Sequence, residues 1–240
     1  MPATSAIGHS KLTCHPSTGT AFENRDTKDV LLKFARDPNH AATFNYASMA
    51  HNNHFFFQGL SPTTTAIPDV LSKELIRSFS SLETLRQELT ITAASMFGPG
   101  FVWIVMDRQR KFSILTTYMA GSPYPAAHYR RQPTDMNTED KSVSDAVRRM
   151  NREPVSNSVG SHGPLSKNQG LAPGGADIIP VLCVNTWEHV YLVDYGVGAY
   201  DPSTGTKVGG KRAFVEEWWN KIDWNVVADR ASSGSRLFAH

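Results

Sequence analysis

The chain has 240 residues, 40% of them hydrophobic, enough for one large domain or two small ones around a buried core. A formal net charge of +2 and an isoelectric point near 8.5 fit association with RNA but lack the concentrated basic patch of a dedicated nucleic-acid binder. No apolar run approaches the roughly 18 residues of a membrane span, and two distant cysteines, Cys14 and Cys183, imply neither a disulfide framework nor a cysteine zinc site.

Residues 1–22 are rich in Ser, Thr and Pro, carry no acidic residue before Glu23, and read as disordered or extended. Their composition partly resembles an organelle transit peptide, although arginine and an amphipathic pattern are missing. The stretch 23–98 reads as helical. A first helix starts near Thr27, with Val30, Leu31, Phe34 and Ala35 at helical spacing, and stops at Pro38. Residues 41–60 form a longer helix with a strongly aromatic end, and Ser61-Pro62 and three threonines mark a loop. Pro68 suits the first turn of a short helix through Phe79. Ser80 then opens a helix through a Ser80…Glu83 capping box, and Leu82, Leu85, Leu89, Ala93 and Met96 form its apolar stripe. Gly98-Pro99-Gly100 ends it.

The character changes in 99–231, which reads as an α/β part. FVWIVM (101–106) and KFSILTTY (111–118) are β-branched and aromatic, and the polar turn Asp107–Arg110 joins them as an antiparallel hairpin. A polar insertion follows at about 122–177, with one short helix over 140–150. Strand character returns at 177–185, where Cys183 reads as a small buried hydrophobe, and continues past a turn at Trp187 through VYLVDYG. Two closing helices are expected at 212–222 and 224–230, before a polar tail at 232–240. The order gives an α+β fold: an N-terminal helical segment, then a three-stranded antiparallel sheet with flanking helices.

Five blocks, in the same order, resemble the iron/manganese superoxide dismutases. SFSSLETLRQELTITAASMFGPGFVWIV resembles that family's helix-then-strand block, and KFSILTTYMAGSPY its next strand. NTWEHVYLVDYG (185–196) resembles the signature D-x-W-E-H-A-Y-x-x-D-Y, and FVEEWWNKIDWNVVADR the final helices. NNHFFFQGLSP (52–62) resembles N-H-x-x-F-W-x-x-L-x-P. The likeness covers about 40–121 and 178–230 and implies the family's fold.

The resemblance also implies a mononuclear site of three histidines and one aspartate. Carried over position by position, the histidine of the W-E-H segment persists as His189, but the aspartate position holds Asn185 and the histidine of the N-H segment falls on Asn53. His54 is one residue on, turned by about 100° on a helix. The first ligand belongs to a helix carrying H-x-x-x-H-x-x-Y. His9 and His15 lack that context, and after His40 the later positions hold Phe44 and Ala47. The glutamine that tunes the family's metal-bound water has two alternative positions, here about Met49 and Ala120-Gly121. Manganese or iron needs imidazole nitrogens and a carboxylate whose charge offsets the cation; two neutral amides hold it poorly. The site reads as degenerate, with no catalytic residue and no cofactor; manganese or iron enters only if the enzyme reading holds.

The resemblance implies a dimer-type interface at Glu188, His189 and Tyr191, because the family's glutamate here pairs across the dimer with the other subunit's histidine of the same motif; the alternative is that Glu188 is a solvated charge. His51 and His54, at i and i+3, read as ordinary polar positions or as a new metal pair. Phe55–Phe57, Trp103 and Trp187 match the shell around the family's metal and read as packed core. Arg130, Arg131, Arg148, Arg149 and Arg152 of the insertion are candidate RNA phosphate contacts or a solvated face, and 154–175 would order on a partner surface.

The substituted ligands, the runs FENRDTK and NYASMAHNNHFFFQGL, and the long insertion resemble the superoxide-dismutase-like proteins of the fungal mitochondrial ribosome small subunit. That likeness implies residence in the mitochondrial matrix and contact with ribosomal proteins and small-subunit ribosomal RNA. It also implies pairing with a second protein of the same type, no membrane and no catalysis. An active superoxide dismutase and a free-standing oligomeric scaffold are the alternatives.

Overall fold

A computed structural model describes residues 25–35, 38–124, 127, 178–203 and 206–237. The N-terminal stretch 1–22, the helix expected at 140–150, the five insertion arginines and the segment 154–175 lie outside the described residues. Helix α1 (Thr27–Phe34) is opened by Asp26, whose extended backbone lets its carboxylate accept the Lys28 N–H at 3.1 Å. Val30, Leu31 and Phe34 pack on Phe44 and Ala47 of α2 (Ala41–Gln58) and on Tyr124 and Ala127, forming a small satellite core. Beyond α2 the chain is tied to its own C-terminal part: Thr65 Oγ1 donates to Ile222 O at 2.9 Å and accepts the Trp224 N–H at 2.9 Å.

Helix α3 (Asp69–Phe79) begins after Pro68, which stands just outside it as an extended cap. The cap of α4 (Leu82–Ser95) differs from expectation by one residue. Ser81, not Ser80, accepts the Thr84 N–H at 3.0 Å, and the two hydroxyls bond at 2.8 Å. Ser80 instead takes a left-handed φ of 70°, and Glu83 accepts from Gln87 at 3.1 Å, one turn along the same helix. Leu85, Leu89 and Ala93 carry the buried stripe.

The sheet is three-stranded and antiparallel, in the order β2-β1-β3, with β1 (Gly100–Met106) between β2 (Phe112–Tyr118) and β3 (Ile179–Asn185). Every residue of β1 is buried, as a central strand covered by helices on both faces requires. A Cβ on Gly100 would come within 2.2 Å of the Thr117 carbonyl, so only glycine fits this register. The register shifts between Ile104 and Val105, opposite Pro180, which has no N–H to give the ladder. Helix α2 and the C-terminal helix lie over β3, and α4 contacts β1.

Strand character beyond Trp187 is not borne out. Residues Glu188–Tyr195 form a helix, α5. A short apolar run is ambiguous between strand and buried helix. Here Tyr191 is buried against Phe214, and Tyr195 meets the same ring edge-on one turn later, a helical spacing. A small hairpin of β4 (Ala199–Asp201) and β5 (Thr206–Val208), not anticipated, precedes α6 (Gly210–Trp219). The last helix, α7 (Trp224–Leu237), runs beyond Arg230 into the stretch expected to be a polar tail.

Candidate functional site

Residues directly opposite in an antiparallel pair share a face. Phe101 faces Asn185 and Trp103 faces Cys183 in the β1–β3 register, so these four line one face of the sheet. Helix α2 crosses this face and presents Asn53 and Phe55. At the end of β3, Asn185 is 1% exposed. Its Nδ2 donates to Asn53 Oδ1 at 2.8 Å, and its Oδ1 accepts the Trp187 N–H at 2.9 Å. Two positions 132 residues apart are thus joined through neutral amides.

Around this pair the layer is filled with rings. Phe55 packs on Trp103 at 5.4 Å and Phe101 on Trp103 at 5.8 Å, while the Trp103 indole donates to Thr117 Oγ1 at 2.9 Å. The Arg230 guanidinium stacks 3.6 Å from the Phe55 ring centre and donates to Phe55 O at 3.1 Å and Val181 O at 3.3 Å. Burial pulls its pKa down to about 10, which leaves it charged at neutral pH. Cys183 is buried nearby, and desolvation holds its thiol well above the ordinary value, in an unreactive form.

The histidines do not converge. His189 is exposed, its ring 5.7 Å from that of Trp187. His51 is committed elsewhere: Nε2 bonds the Tyr124 hydroxyl at 2.8 Å, and burial, with Lys28 in support, lowers its pKa to about 4. That bond belongs to a second buried polar group, which sequence reasoning missed. Ser48 donates to Ala120 O, and its oxygen lies 2.7 Å from Ser122 Oγ. Ser122 donates to Asn52 Oδ1 at 2.6 Å, and Asn52 Nδ2 donates to Gly121 O at 2.9 Å. These contacts fasten the chain after β2 to α2. The signal was present: Ser48 and Asn52 are polar residues at i and i+4, both 0% exposed, in a helix otherwise aromatic on that side.

Among the described residues, no three His, Cys, Asp or Glu side chains are grouped to hold an ion. Neutral amides bonded to each other, no carboxylate, and a buried guanidinium in the same layer are a poor donor set for iron or manganese. The residues present do not fit that metal.

At the same end of the sheet, Glu188 opens α5 and is half-buried, while Tyr191 lies under the Lys211 ammonium at 5.9 Å. Lys211 Nζ also donates to Met96 O at 2.8 Å, and Thr186 to Gly100 O at 3.0 Å, so α5 and the β1–β2 end form one corner. Phe97, which follows Met96, is 95% exposed, and Tyr118 and Met119 are also open to solvent.

The sequence pattern of iron/manganese superoxide dismutases, C-terminal domain, matches residues 68–133 and 164–230. The chain belongs to the iron/manganese superoxide dismutase family. Within that family it is similar to "Small ribosomal subunit protein mS43" of Schizosaccharomyces pombe, at 26% identity over 224 residues, 90% of this chain and 70% of that protein. "Small ribosomal subunit protein mS42" of the same organism is 27% identical over 213 residues, 86% of this chain and 74% of the relative. "Superoxide dismutase [Fe]" of Helicobacter pylori is 24% identical over 212 residues, 88% of this chain and 68% of the enzyme.

Proposed function

We propose that this chain is a non-catalytic structural component of the mitochondrial small ribosomal subunit, built on a superoxide dismutase fold. One observation carries the reading: the hydrogen bond between Asn53 and Asn185, at the positions where the family places a ligand histidine and a ligand aspartate. Dismutation needs an ion that takes an electron from one superoxide and gives it to the next, held by donors that tolerate both charge states. Two neutral amides bonded to each other offer no such donors, and the His189 ring lies 5.7 Å from that of Trp187. The kinship with mS43 and mS42 supplies the assembly. The chain acts in the mitochondrial matrix, on the ribosome, in contact with ribosomal proteins and small-subunit RNA, without a cofactor.

The partner within the assembly is a second superoxide-dismutase-like chain, a reading supported by the match to two small-subunit ribosomal proteins of one organism. Glu188, His189 and Tyr191 form that interface together with the exposed Phe97 and Met119. The insertion arginines Arg130, Arg131, Arg148, Arg149 and Arg152 are the proposed contacts to RNA phosphates. Elemental analysis of the purified full chain, paired with sedimentation of a tagged copy against mitochondrial ribosomal subunits, tests the reading. The expected result is iron and manganese far below one ion per chain and co-migration with the small subunit in moderate salt. One tightly held ion per chain, or migration apart from the subunit, would overturn it.

A further inference from the structure

The turn between β1 and β2 is built more firmly than a surface connection needs. Asp107 Oδ1 accepts the Gln109 N–H at 2.9 Å and the Lys111 N–H at 2.8 Å, and the backbone closes between Asp107 and Lys111 at 3.0 Å. Arg110 adopts a left-handed φ of 58° and grips Glu74 of α3 with two 2.7 Å bonds. The next residue is held as well: the Phe112 N–H donates to Ser78 Oγ at 3.0 Å. The turn is thereby clamped against the C-terminal half of α3.

This clamping sorts the charges. The segments 73–77 and 107–111 carry five cations, Lys73, Arg77, Arg108, Arg110 and Lys111, against two carboxylates. Both carboxylates are spent inward, Glu74 on Arg110 and Asp107 on the turn's own amides. Lys73, Arg77, Arg108 and Lys111 are all exposed, with Lys73 and Arg77 one helical turn apart. The surface also lies at the far end of the sheet from α5, because Met106 pairs with Phe112 here while Gly100 and Asn185 mark the other end. Seven residues of strand separate the ends by about 20 Å.

We propose that the β1–β2 turn and the adjoining face of α3 form a contact surface for the phosphate backbone of RNA. Exposed cations on a braced turn and its adjoining helix, Lys73, Arg77 and Lys111 foremost, meet phosphates without needing base edges, so the contact positions RNA without reading its sequence. The choice of RNA over an acidic protein rests on the ribosomal reading above, while the basic surface itself does not.

The test titrates the full chain into a fluorescein-labelled RNA duplex of mixed sequence, across a range of salt concentrations, and in parallel into labelled poly-glutamate. The variant Arg77→Gln/Arg108→Gln/Lys111→Gln is compared with a charge-matched control, Lys33→Gln/Arg212→Gln/Lys221→Gln, and thermal melts verify that both fold. The turn variant should bind the duplex at least about tenfold more weakly, and its slope of log affinity against log salt should be shallower by about two to three. The control should stay close to the parent. Equal weakening by the control, an unchanged slope in the turn variant, or a loss confined to poly-glutamate would overturn the proposal. Because this binding is read on the isolated chain, a failure to migrate with ribosomal subunits sinks the ribosomal reading and leaves the surface standing. Normal migration with an unaltered duplex slope does the reverse.

Discussion

An amide offers a donor and an acceptor, where a carboxylate offers acceptors only. At position 185 this lets one side chain reach Asn53 with its nitrogen and the Trp187 amide with its oxygen, so a buried group ends with both poles satisfied. His51 shows the cost of a buried group that can still titrate. Its pKa lies near 4 when folded, chiefly through desolvation, against 6.5 when unfolded. Between those values the unfolded chain binds a proton that the folded chain refuses, so stability is full above pH 6.5 and falls as pH drops toward 4. The loss should reach about 2–3 kcal/mol, read from urea midpoints at pH 7 and pH 4.5. His51→Gln, which keeps a partner for Tyr124, should flatten that dependence; an equal slope in both proteins would remove His51 as its source. The identities at 53 and 185 were legible, because each lies in a motif that aligns without gaps. The bond between them was not, since nothing local couples residues so distant in the chain.

Turn chemistry explains where the elements start, and where reading them from sequence slipped. The pair Ser80-Ser81 offers two candidate caps, and only backbone geometry chooses between them. Ser81 takes the extended conformation that aims its hydroxyl at Thr84 N–H, while Ser80 absorbs the left-handed bend. Ser81→Ala should therefore cost about 1 kcal/mol in urea unfolding, whereas Ser80→Gly, which relieves an unfavourable φ, should raise stability by up to about 1 kcal/mol. If alanine at 80 proved the more damaging change, the cap assignment would be wrong. Helices α1 to α4 and the hairpin were readable because their apolar residues recur at the proper spacing and their breakers are explicit. Helix α5 was not, because its burial depends on Phe214 from a later helix. The C-terminal extension of α7 was hidden for a similar reason. Gly234 weakens a helix by itself, yet it packs so closely on Ile179 and Met106 that a Cβ there would lie 2.8 Å from the isoleucine.

The whole molecule is polarised along its strands. One end carries α5, Glu188 and the bare Phe97 ring, the proposed seat of a second family member, and the other end carries the clamped basic turn. Phe97→Ser combined with Glu188→Lys should abolish co-purification with a co-expressed superoxide-dismutase-like partner, with little change in melting temperature. Undiminished recovery of the pair would place the interface elsewhere on the surface. The overall α+β plan was visible from the order of helices and strands, since the blocks of the family pattern follow the elements in chain order. In a metalloenzyme of this design, the N-terminal helices and the sheet would be joined through their shared ligands to one ion. The strap between α2 and the end of β3 is here made of side chains alone. It closes as the polypeptide folds and is indifferent to chelators, to starvation for transition elements and to the oxidation state of its surroundings. For the proposed ribosomal role, the consequence is a brace that does not depend on metal supply.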